Sequence, residues 1–133
     1  MILYHSADLI WATKIKGAAE ALGFAARPVR SIEMLEARLA DSPVVALIVD
    51  LDAPEVAIAL VQRVRLNPMS PSVTSQRRIK VMAFGPHVAV AEMQAAKAAG
   101  ADTVMARGAF STRMSNVIKD LATGAAIADF AED

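Results

Sequence analysis

The sequence predicts an α/β domain in which five strands form an open parallel sheet between helices. Three observations carry this. Five short apolar runs alternate with five helix-like segments along the 133 residues. The third run, Val44-Val45-Ala46-Leu47-Ile48-Val49-Asp50, is apolar until its final acid, as in a strand buried on both faces. Most links between the segments are short, which implies right-handed crossovers and parallel strands.

Each element follows from local residue chemistry. Residues 1–5 form the first strand. A helix follows with Ser6 or Asp8 as its cap and Trp11, Ile15, Ala18 and Leu22 at helical spacing. Gly23 ends it in the left-handed conformation. Residues 25–29 make a short second strand that Pro28 places at an edge. Ser31 caps a second helix with Ile32, Leu35 and Leu39 on one face, and Pro43 stops it before strand three at 44–50. Helix three covers 54–66, with Pro54 in its first turn and Ala57, Leu60, Val61 and Val64 inward. Residues 67–77 are the one long loop.

Strand four is read at 78–84, broken by Gly85-Pro86, and helix four runs from 88 to Ala99, closed by Gly100. Strand five is placed at 102–106. The last helix is placed at 111–123, with a serine cap and an apolar stripe of Met114, Val117, Ile118 and Leu121. Gly124 ends the domain, 1–124, and 125–133 is a tail. Because the first and third runs are the most apolar, the flavodoxin-like order 2-1-3-4-5 is favoured, a (βα)5 three-layer sandwich.

Composition narrows the function classes. The 14 basic and 14 acidic residues cancel, so no bulk attraction to nucleic acid or membrane is expected. The absence of cysteine excludes disulfides and thiolate chemistry. No apolar stretch approaches the roughly 20 residues of a membrane span, and Met1-Ile2-Leu3-Tyr4-His5 lacks the basic region of a secretory signal. A cytoplasmic domain is expected. The basic residues Arg63, Arg65, Arg77, Arg78 and Lys80 read as a solvated face, and Phe84, Met105 and Phe110 as core or rim packing. Trp11, if exposed, would mark a contact surface. No glycine-rich phosphate loop or nucleophile elbow is present.

In an open parallel sheet the reactive site lies at the carboxyl ends of the strands, where Asp50 falls. The stretch Leu47-Ile48-Val49-Asp50-Leu51-Asp52-Ala53-Pro54, the turn Ala99-Gly100-Ala101-Asp102 and the gap-free spacing from Gly100 back to strand four and forward to residue 107 resemble the receiver domain of two-component response regulators. The resemblance runs from Ile2 to Thr123. It implies that Asp50 is the phosphoacceptor position and that a magnesium ion and surrounding cations would assist transfer.

The neighbouring positions depart from that pattern. Ser6-Ala7 stand where the family has two metal-binding acids, with Asp8 one residue later and read as a helix cap. The switch hydroxyl falls on Gly85. The strand-five lysine is Arg107, and the following proline is replaced by Gly108-Ala109; arginine keeps the charge but is larger and forked. The resemblance therefore implies a degenerate pseudo-receiver, with Asp50 paired to Arg107 or capping helix three and Asp52 a solvated loop residue.

The function expected is a stand-alone, non-enzymatic protein–protein interaction module in bacterial-type signalling, without metal or other cofactor. Its partner is a protein or a second copy, contacted through helix four, strand five and helix five, with Ala89, Met93, Lys97, Met105 and Arg113 on that face. Two alternatives stay open. In one, Asp50 accepts phosphate with magnesium held by Asp8 or Asp52. In the other, a small molecule binds the sheet-top cleft near His5, Gly85, His87 and Gly108. The pocket residues of interest are thus His5, Ser6, Ala7, Asp8, Asp52, Gly85, His87 and Arg107.

Overall fold

The computed structural model describes residues 1–68 and 78–125. They form five strands, β1 (Ile2–His5), β2 (Ala26–Pro28), β3 (Ala46–Asp50), β4 (Lys80–Gly85) and β5 (Thr103–Ala106). Between and after them come α1 (Leu9–Ala21), α2 (Ile32–Asp41), α3 (Pro54–Leu66), α4 (Val90–Ala99) and α5 (Arg107–Thr123). The sheet order is β2-β1-β3-β4-β5 and every pairing is parallel. The flavodoxin-like architecture is therefore the observed one.

Strand alternation divides the core into two layers. Leu3, Leu47 and Val49 face α2, α3 and α4, where Leu35, Leu60, Val64 and Met93 close over them. Ile2, Tyr4 and Ile48 face the opposite way, against Ile15 of α1 and Phe110, Ile118 and Leu121 of α5. β1, β3 and β5 are buried along their whole length. Pro28 lies in β2, an edge strand of the sheet with no further strand beside it among the described residues.

Caps follow the sequence in the first half. Asp8 Oδ1 accepts from the N–H groups of Ile10 (2.8 Å) and Trp11 (3.4 Å), and Ser31 Oγ accepts from Met34 N–H (3.1 Å). Several boundaries differ from the sequence reading by one or two residues. Gly85 is the last residue of β4, paired with Ala106, and the break falls at Pro86, so that α4 starts at Val90. β3 begins at Ala46 and not at 44.

The largest difference is at α5, which begins at Arg107 directly after β5 and carries one non-helical residue, Arg113 (φ −116°, ψ 16°). Gly108 and Ser111 look like a loop and a cap, but burial of Ala109 and Phe110 pulls the segment onto the sheet and into helix. The consequence is positional: Arg107 stands at the carboxyl edge beside β3. Of the long loop, 69–77 lies outside the described residues, as does the tail from 126 onward. Among the described residues no helix is long and apolar enough to cross a membrane.

Candidate functional site

β3 ends in Asp50, whose side chain is 1 % exposed. A carboxylate removed from water needs hydrogen bonds and an opposite charge, and both are supplied. Ser6 Oγ donates to Asp50 Oδ2 at 2.8 Å. The Asp52 backbone N–H donates to Oδ1 at 3.0 Å. Arg107 then reaches from the start of α5, its Nη2 lying 3.3 Å from Asp50 Oδ1 and 2.6 Å from Asp52 Oδ2. One guanidinium thus bridges two carboxylates. Burial opposes its charge, but the hydrogen bond to Asp52 and the charges of Asp50 and Asp52 hold its pKa above the usual arginine value.

The indole of Trp11 forms the wall behind this group. Its centroid lies 5.1 Å from that of Phe84 and 6.1 Å from that of Phe110. The Arg107 guanidinium carbon sits 5.5 Å over the ring and Lys14 Nζ 5.2 Å. A cation over an indole face gains about 0.5–2 kcal/mol, more as water is excluded. Trp11 is therefore half-buried packing behind Arg107, not the exposed surface residue considered from the sequence. Its place on the Trp11–Ile15 stripe of α1 was the available signal.

The other residues singled out from the sequence disperse. His5 is buried at the end of β1, where ring Nδ1 donates to the Val29 carbonyl at 3.0 Å while Nε2 is buried with no hydrogen-bond partner among the described residues. Ala7 and His87 are exposed, and so is Gly108. Gly85 is buried, and a Cβ there would lie 3.2 Å from Leu51 Cβ, so a side chain at this position would require Leu51 to give way by a few tenths of an ångström. On the anticipated partner face, Met93 (3 %) and Met105 (0 %) belong to the core, because both point into the two packed layers. Lys97 and Arg113 are exposed.

A cavity does open beside the site, between α1 and β2, and Ser6 is the one anticipated pocket residue that lines it. The sheet-top residues His5, Gly85, His87 and Gly108 do not line it.

Magnesium asks for near-octahedral oxygen ligation, with more than one free carboxylate in dedicated protein sites. Here Asp50 and Asp52 share Arg107, Asp8 Oδ1 is committed to the α1 cap, and Ser6-Ala7 contribute no charge. No group of three or more His, Cys, Asp or Glu residues among those described is placed to hold a metal. The residues present do not fit the ion.

No protein-family model matches the sequence, and no curated protein matches it. Solved structures do. The receiver domain of NtrX from Brucella abortus superimposes with a TM-score of 0.73 at 14% identity, covering 92% of this chain and 98% of that one. A response regulator from Thermotoga maritima gives 0.70 at 17%, covering 92% and 96%. An atypical orphan response regulator gives 0.67 at 17%, covering 92% and 94%. The strand order, the placing of Asp50 at the end of β3 and these superpositions agree that the chain has the fold of response-regulator receiver domains.

Proposed function

We propose that this protein is a pseudo-receiver: a signalling module that binds a protein partner without being phosphorylated. The observation that carries the reading is the occupancy of Asp50. Ser6 holds one carboxylate oxygen, and the Asp52 N–H and Arg107 hold the other. A nucleophilic carboxylate needs a free oxygen facing the donor and cations that neutralise the transferring group. Here Arg107, the cation paired with Asp50 among the described residues, is already shared with Asp52. Arg107 supplies the positive charge that a metal and a phosphoryl-contacting lysine would otherwise bring, and it does so permanently. The superposable orphan regulator, described as revealing a phosphorylation-independent regulatory mechanism, supports the same reading by analogy.

The partner surface is the rim of the sheet top. Leu9 (77 %), Ile10 (67 %), Val88 (75 %) and Val90 (55 %) are exposed large apolar residues at the start of α1 and around the start of α4. Exposed apolar side chains gathered around a polar centre favour protein contact over solvent.

Incubation with magnesium and a small acyl phosphate, followed by intact-mass measurement, tests the phosphorylation half of the proposal. No phosphate adduct is expected. An adduct that disappears in Asp50→Asn would overturn it.

A further inference from the structure

We propose that the cavity between α1 and β2 binds a small zwitterion, a free α-amino acid with an apolar side chain. The cavity measures about 290 Å³, at the lower bound of the roughly 300–1,000 Å³ typical of small-molecule sites, which suits an amino acid and not a nucleotide.

The lining chemistry selects the class. Leu9, Ala12, Lys16 and Glu20 fall on one stripe of α1 facing the cavity. Lys16 and Glu20 are one turn apart, about 5–6 Å between Cβ atoms, yet among the described residues neither makes an ion pair or hydrogen bond. Opposite charges are thus held unpaired on one wall at adjacent positions. An amino acid carries its carboxylate and ammonium on one carbon, so the first can meet Lys16 while the second meets Glu20.

The opposite wall completes the arrangement. Arg30, also unpaired among the described residues, adds a second cation for the carboxylate, and Val29 with Pro28 supplies apolar surface. Tyr4, which carries a phenol hydroxyl, also lines the cavity. Burial raises its pKa first, Glu20 raises it further and Arg30 pulls it down, so both charges act on that hydroxyl. Gly17 lines the groove, and a Cβ there would stand in open space with nothing within 4 Å.

Ser6 lines the same cavity and donates to Asp50. A ligand there therefore touches the residue that holds the candidate site, whether or not Asp50 accepts phosphate.

The test is calorimetric titration of the whole chain with L-leucine and L-phenylalanine, alongside the emission of its one tryptophan. Saturable single-site binding is expected. Gly17→Leu fills the open space and replaces a poor helix former with a good one, so it keeps its circular dichroism while binding weakens about tenfold or more. Lys16→Glu, at an exposed position, is expected to weaken binding by about the same factor, as is removal of the amine in 4-methylpentanoate. Absence of saturable binding by either amino acid overturns the proposal. So does unchanged affinity in the two variants, or equal affinity for 4-methylpentanoate.

Discussion

Gly85 and Leu51 approach so closely that a Cβ on the glycine would stand 3.2 Å from Leu51 Cβ and 3.7 Å from its Cδ1. Leu51 is itself buried, and its N–H donates to the Phe84 carbonyl at 2.8 Å, so it cannot step aside freely. Gly85→Thr, which introduces a branched side chain at this strand end, is therefore expected to destabilise the protein by about 1–3 kcal/mol through overpacking. Urea unfolding measures this. Pairing it with Leu51→Ala relieves the contact, and the double variant is expected to lose less than the sum of the single changes.

Arg107 provides the second prediction. Replacing it with Gln leaves Asp50 buried without its cation, for an expected loss of about 1–3 kcal/mol in urea unfolding. The emission of Trp11 should shift as well, because the guanidinium 5.5 Å over the indole is gone. Both contacts come from the one nitrogen Nη2, so Arg107→Lys, whose single ammonium is shorter in reach and loses the guanidinium plane over Trp11, should recover part of the loss but not all of it. Asp52→Asn removes the more exposed partner (42 % against 1 % for Asp50) and is expected to cost under about 1 kcal/mol.

A pH dependence follows from Tyr4. Burial, then Glu20, raises its phenol above the ordinary 10.0. Above pH 10.0 the unfolded chain loses this proton while the folded chain keeps it. The contribution is intact below that pH and is lost as pH rises through the folded value. Urea midpoints measured on either side of pH 10.0 should fall with alkalinity in the parent, and less steeply in Tyr4→Phe.

The amino ends of β4 and β5 are fastened by Asp102. Its carboxylate takes Arg65 Nη2 (2.5 Å), Arg78 Nη1 (2.8 Å) and the Val81 N–H (2.8 Å), while Arg65 also donates to the Gly100 and Ile79 carbonyls. Asp102→Ala strands these donors and is expected to cost about 2–4 kcal/mol. Gly100, at φ 118°, would drive any Cβ into the Arg65 side chain. Gly100→Ala is expected to cost a similar amount from backbone strain plus the clash. Thermal or urea unfolding checks both.

The sheet order was legible because burial on two faces writes itself as unbroken apolar runs, and β1 and β3 carry the clearest ones. The place of Asp50 at the end of the middle strand was also readable, but its partner was left between Arg107 and a cap on helix three; the structure has the Arg107 contact and no side-chain cap on α3. The share taken by Asp52 was not legible: only the folded geometry shows one Arg107 nitrogen, Nη2, reaching both acids. Trp11 was missed as the wall of the site because its partners, Phe84, Arg107 and Phe110, are distant in sequence and meet it only once β4 and α5 are in place. The start of α5 misled for a local reason. Gly108 and Ser111 carry loop and cap chemistry, and only tertiary burial of Phe110 overrides it.

Strand β2 is three residues long and ends in Pro28, which has no N–H to offer. An incoming extended chain at that border would find too few amide donors to build a ladder. Growth of the sheet by strand addition is thus discouraged on that side, so an added strand would be steered toward the β5 border instead.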